Sequence, residues 1–127
     1  MIIIYDSLTG MGKKFAESLG YKAIDVNDFM LEPKEDLFFL VTRCFGFGEI
    51  PIETVKFLRK YYKSVIGVAC GGNKNWGENF AVAGEKIEQI YGIKSIVKFE
   101  GSGFEHERET ARIFLDKFME SENGRKR

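Results

Sequence analysis

The stretch Cys70-Gly-Gly-Asn-Lys-Asn-Trp-Gly-Glu-Asn-Phe80 holds Gly71, Gly72, Gly77 and the only tryptophan of the chain, and it follows an apolar run, Val65 to Ala69. Such dense glycine suits neither a strand nor a helix, so the stretch reads as a loop at the carboxyl end of a buried strand. Open α/β sheets bind their ligands at that end. The chemistry suits a flat ring. Bare backbone permits close approach, the amides of Asn73, Asn75 and Asn79 hydrogen-bond, and Trp76 offers a face, with Phe80 behind it. The other reading is a surface loop whose tryptophan closes the core, because glycine-rich loops are common punctuation.

Two further stretches carry chemistry. In Asp6-Ser-Leu-Thr-Gly-Met-Gly12 a strand passes into a helix start. Helix amino ends expose unpaired N–H groups and partial positive charge, which favour phosphate. Ser7 and Thr9 add hydroxyls, Gly10 and Gly12 let the chain curl, and Leu8 and Met11 lie between them. A helix cap would use the same residues. The spacing G-x-x-x-x-G-K-[ST] is absent, and Phe15 stands where a dinucleotide motif needs its third glycine. The other stretch, Thr42-Arg-Cys-Phe-Gly-Phe-Gly48, joins Thr42, Arg43 and Cys44 to Phe45, Gly46, Phe47 and Gly48. Gly46 is open to backbone angles closed to other residues, so a peptide there is free to flip. Phe45 and Phe47 read as core packing or as a partner-facing patch.

The elements that position these loops alternate. Ile2-Ile-Ile4 reads as a central parallel strand, and Met11, Phe15 and Leu19 as the buried stripe of a first helix ended by Gly20. Tyr21 to Val26 forms a second strand, and Asn27 to Asp36 has room for one helical turn at most. Leu37 to Thr42 is the next strand. Pro51 opens a helix with Val55, Leu58 and Tyr62 inward. After Val65 to Ala69, a helix carries Phe80, Ala83, Ile87 and Ile90 and ends at Gly92. Ile93 to Phe99 is the last strand, and Ala111, Phe114, Leu115 and Phe118 face inward on the last helix. Alternating strands and helices predict an α/β fold, a doubly wound five-stranded parallel sheet of order 2-1-3-4-5. Its switch point lies between the first and third strands. The expected organisation is one domain over residues 1–120 and a charged tail over 121–127.

The chain has 127 residues, 44% hydrophobic, with 19 basic and 19 acidic side chains. Zero net charge argues against nucleic-acid binding, and no apolar run reaches the length of a membrane span. The start lacks the features of a signal peptide, and Cys44 and Cys70 make no disulfide framework, so a cytoplasmic setting is expected. The strand order brings these cysteines towards each other, either as a redox pair or as two small hydrophobes. His106, among Glu105, Glu107 and Glu109, reads as solvated, and no metal site is predicted.

Together, Asp6-Ser-Leu-Thr-Gly10, Phe45-Gly-Phe-Gly48 with Pro51 behind it, Gly72-Asn-Lys-Asn-Trp-Gly-Glu-Asn-Phe80 and Lys98-Phe-Glu-Gly-Ser-Gly103 resemble the NrdI family. Members are small flavodoxin-like flavoproteins that serve class Ib ribonucleotide reductase. The resemblance implies FMN, with its phosphate on Ser7, Thr9 and the amides that follow, and its ring between the second and third loops against Trp76. It also implies a redox accessory protein rather than a stand-alone enzyme. Its partners would be the dimanganese radical subunit, a flavin-reducing protein and dioxygen, which is reduced to superoxide. A general flavodoxin electron carrier and a binding module without redox chemistry are the alternatives. Met11 stands where relatives often have Asn, and Arg43-Cys44-Phe45 replaces a more usual Tyr-Thr-Thr.

Overall fold

The computed structural model describes residues 1–46 and 48–125; Phe47, Lys126 and Arg127 lie outside the described residues, as do the side chains at 76, 78 and 123–125. Strand β1, Ile2–Tyr5, is buried along its whole length. It pairs in parallel with β2, Lys22–Asp25, on one side and with β3, Phe38–Arg43, on the other. Strand β4, Val65–Gly72, and β5, Ser95–Glu100, complete a sheet of order β2-β1-β3-β4-β5, as the alternation predicts.

Side-chain alternation explains why β1 needs isoleucine at successive positions. Ile2 and Ile4 join Phe38, Leu40 and Val68 under α2 (Val26–Leu31), α3 (Ile52–Tyr61) and α4 (Val82–Tyr91). Ile3 and Tyr5 join Phe39, Val41 and Ala69 under α1 (Met11–Glu17) and α5 (Glu105–Arg125). A polar residue at either parity would be buried without a partner. On the second face, Phe15 of α1 and Phe99 of β5 stack with ring centroids 3.9 Å apart. Helix α5 runs on through residues 121–125.

Several boundaries differ from the sequence reading. Gly71 and Gly72 are strand residues of β4, not loop. The strand accepts them because neighbours fill their side-chain space: a Cβ at Gly71 would lie 2.7 Å from the Phe99 ring, and one at Gly72 would lie 2.9 Å from the Ala81 nitrogen. Val26 opens α2, which exceeds the single turn expected and is capped by Asp25, whose Oδ1 accepts from Asn27 N–H at 2.8 Å. Met11 is exposed, leaving Phe15, Ala16 and Leu19 as the stripe. On α3 the inward face is Thr54, Phe57 and Leu58 with Tyr61 partly buried, whereas Val55 is half-buried and Tyr62 exposed. The aromatic cluster decides that rotation, since Phe57 and Tyr61 both pack edge-on against Phe29 and Phe38. Ile90 of α4 points outward, and the helix rests on Ala83, Gly84 and Ile87.

Candidate functional site

At the carboxyl ends of β1, β3, β4 and β5 lies a cavity of about 620 Å³. This is the edge, and the β1/β3 switch point, at which doubly wound sheets bind ligands, and the volume suits a cofactor-sized molecule.

The first wall comes from the turn between β1 and α1. Ser7, Leu8, Thr9, Met11 and Gly12 line the cavity. Gly10 turns the chain at φ 90°, its N–H donating to Ser7 Oγ at 3.0 Å, and stands off the lining. Behind this turn lies a buried polar network. Thr54 Oγ1 on α3 donates to Asp6 Oδ2 at 2.7 Å, and Thr42 Oγ1 stands 2.8 Å from Thr54 Oγ1. Because the Thr54 proton is committed to Asp6, Thr42 is the donor in that second contact. Burial pushes the Asp6 carboxyl above its ordinary range, while the Thr54 hydroxyl and the Arg43 guanidinium work against that rise.

Arg43 and Thr42 also line the cavity. Arg43 Nε lies 3.5 Å from Asp6 Oδ1, which is charge attraction without hydrogen-bond geometry, and this buried N–H has no hydrogen-bond acceptor. A buried donor without a partner costs roughly 1–3 kcal/mol, so an acceptor atom of a bound molecule would be favoured here.

Cys44 reaches the cavity as well, but Phe45, Gly46 and Gly48 do not line it. They form a tight bridge in which Phe45 and Glu49 exchange N–H···O bonds of 2.7 and 2.8 Å. Gly46 has φ 56°, the left-handed region that its residue type anticipates. Phe45 is exposed. The expectation for Phe47 lies outside the described residues.

From the third stretch, Gly71, Gly72, Asn73 and Asn75 line the cavity. Asn73 Oδ1 accepts from Asn75 N–H at 2.8 Å, which holds the turn. Gly77, Asn79 and Phe80 stand off it, and Phe80 packs instead beside Cys44 and Cys70. The expected role of the Trp76 ring lies outside the described groups. The cavity also uses Asp6, Phe99, Glu100 and Gly101, which the sequence reading did not assign to it. Glu100 Oε2 accepts from Lys74 N–H at 2.8 Å and so ties β5 to the third stretch. The rule that ligands lie at strand carboxyl ends pointed to these positions; their residue types did not. Among the described residues no cluster of His, Cys, Asp and Glu could hold a metal ion, and no helix is long and apolar enough to cross a membrane.

Comparison with known proteins agrees with this architecture. The chain is similar to a short-chain flavodoxin associated with a PDU bacterial microcompartment, with TM-score 0.71 and 21% identity over 94% of this chain and 96% of that one. A Fusobacterium nucleatum flavodoxin bound to flavin mononucleotide matches with TM-score 0.52 and 22% identity, over 76% of this chain and 66% of that one. By sequence, Protein NrdI of Macrococcus caseolyticus is 34% identical over 94% of this chain and 92% of its own length. Protein NrdI of Bacillus licheniformis is 38% identical over 80% of this chain and 76% of its own length. Residues 3–112 match the family described as NrdI Flavodoxin like, and the chain belongs to that family.

Proposed function

We propose that this chain binds one FMN in the cavity and serves a class Ib ribonucleotide reductase by activating its dimanganese–tyrosyl radical subunit. The observation that carries this reading is a cofactor-sized cavity at the β1/β3 switch point of a chain that belongs to the NrdI family. The flavodoxin bound to flavin mononucleotide supports the choice of ligand.

The residues present fit such a group. Ser7, Thr9 and the amides leading to Gly12 would hold the phosphate. Arg43, Gly71, Gly72, Asn73 and Asn75 line the cavity where the ring system would be held, and the orphaned Arg43 Nε–H would suit an acceptor atom of the ligand. When bound, FMN supplies the electron chemistry that reduces dioxygen to superoxide for the partner's metal site. The chain's own part is to bind, to orient and to control access. Asp6 holds Arg43 by charge, so the guanidinium meets the ligand already positioned, at little further entropic cost. The exposed Phe45, next in the chain to cavity-lining Cys44, supplies apolar area of the kind found at partner interfaces.

The test has two stages. The purified chain, incubated with FMN, is expected to retain it with a bound-flavin visible spectrum; colourless protein after incubation overturns the reading. Reduced, FMN-loaded protein mixed with a manganese-loaded class Ib radical subunit in air is expected to raise the tyrosyl radical signal in electron paramagnetic resonance. Equal signals with and without the protein favour a general electron carrier.

A further inference from the structure

Cys44 and Cys70 share one buried cluster with Ala81 and Ala83 where α4 meets the ends of β3 and β4. Their surroundings differ from those of two inert hydrophobes. Ala83 N–H, in the first turn of α4, donates to Cys44 Sγ at 3.4 Å, and the Cys70 thiol lies in the same buried cluster, donating to the Gly71 carbonyl oxygen at 3.8 Å. Ala81 is the one described non-glycine residue with positive φ, at 50°. That conformation is unfavourable for alanine, and it places the helix start against Cys44. Gly84 brings α4 so close that a Cβ there would stand 3.0 Å from Cys70 Cβ. Cys44 lines the cavity at 9% exposure, whereas Cys70 lies behind it at 0%. Cys44 therefore borders the cavity, and Cys70 behind it is the other free cysteine of the cluster.

We propose that Cys44 and Cys70 are a reversible thiol–disulfide couple, in which Cys44 is the thiolate that reacts with hydrogen peroxide entering the cavity and Cys70 is the thiol that resolves the product. The Cys44 sulfur attacks one peroxide oxygen. An S–O bond forms, the O–O bond breaks, and the hydroxide that leaves takes a proton from solvent to become water. Cys70 then gives up its proton, and its sulfur attacks Cys44. An S–S bond forms, the S–O bond breaks, and the departing hydroxide takes that proton as a second water. The two thiols are oxidised by two electrons and the peroxide is reduced by two. A dithiol reductant reverses the change by exchange.

The electrostatics support the assignment of roles. The neighbouring Cys70 thiol, the first-turn amides of α4 and the charge of Lys86 pull the Cys44 thiol down to about 6, against the opposing effect of burial. Cys70 is pushed up, first by the neighbouring Cys44 sulfur and then by burial, so it keeps its proton until the second step. Lys98 on β5 is the cation on the Cys70 side, and it is itself ion-paired with Glu85.

The experiment exposes the full, reduced chain to hydrogen peroxide, digests it without reductant and maps both cysteines by mass. The expected result is a Cys44–Cys70 cross-linked peptide that dithiothreitol abolishes. In Cys70→Ser the resolving thiol is gone, so dimedone is expected to trap a sulfenic acid on Cys44. In Cys44→Ser, Cys70 is expected to stay a free thiol. Recovery of both cysteines as free thiols from the peroxide-treated native chain overturns the proposal, and so does dimedone label on Cys70 in preference to Cys44. None of these readouts depends on FMN or on the reductase, so failure here leaves the functional reading standing, and the reverse holds.

Discussion

The two walls of the cavity are built differently. The β1–β3 wall is held by charge and hydrogen bonds, Thr42 to Thr54 to Asp6, with Arg43 beside the carboxylate. The β4–β5 wall is held by contact: Gly71 lies on the Phe99 ring, Gly72 on the Ala81 backbone and Gly84 on Cys70. The difference teaches how each wall should fail. Close packing is indifferent to pH and intolerant of added volume. A polar network tolerates small changes of shape but depends on the charge at its centre.

The largest effect is expected from Gly71→Ala. Its Cβ would meet two Phe99 ring atoms at 2.7 Å, and Phe99 cannot swing away because it is stacked on buried Phe15. Overpacking of this kind costs about 2–3 kcal/mol. Urea unfolding is expected to show a lower midpoint with the slope unchanged, and the loss should be the same at neutral pH and in the carboxylate range. A loss that shrinks on acidification would mean that this wall too is electrostatic.

Thr54→Val should cost less, about 1–2 kcal/mol at neutral pH, because the Asp6 charge loses its hydroxyl donor but keeps Arg43. Here the sign with pH differs. The Thr54 bond lowers the Asp6 pKa, so its stabilisation is present where Asp6 is ionised and fades as pH falls through the Asp6 pKa. The whole Asp6 site runs the other way. Its folded pKa is raised, so its contribution to stability is fullest below the unfolded value and is lost as pH rises through the folded one. Asp6→Asn is therefore expected to remove a falling component from the stability–pH curve just above the ordinary carboxylate range. Parallel curves for the native chain and Asp6→Asn would contradict that direction.

This contrast also governs what the sequence made legible. Period and type were enough for the sheet. The β-branched run Ile2-Ile3-Ile4 needed cover on both faces and found it. The strand order followed from alternation, and it placed Cys44 towards Cys70 before any contact was known. The polar wall was hidden, because Asp6 and Thr54 are 48 residues apart and neither type is unusual at its own position. The steric wall was misread because glycine in sequence signals a turn. Only the Phe99 ring and the Ala81 backbone, brought in from elsewhere, make Gly71 and Gly72 strand residues. The same limit applies to Met11, whose spacing fits the helix stripe but whose position overhangs the cavity.

The smallest expected effect sharpens the comparison most, because Cys44 is where charge enters the close-packed wall. At neutral pH a thiol with a pKa of about 6 has roughly thirtyfold more thiolate than one at ~8.5. Nucleophilicity falls with basicity, however, by about tenfold over that interval. The net gain in alkylation rate is then only about two- to threefold, and a rate at one pH decides little. The pH profile decides more. Iodoacetamide labelling of Cys44, followed by peptide mass, should level off above a midpoint near 6, where an ordinary thiol would still be rising about tenfold per pH unit. Cys70→Ala removes the largest cause of the depression, so the midpoint should move up towards the ordinary value while the Ala83 amide keeps part of the effect. A native midpoint in the ordinary thiol range would mean that the β4 wall holds its sulfurs by packing alone.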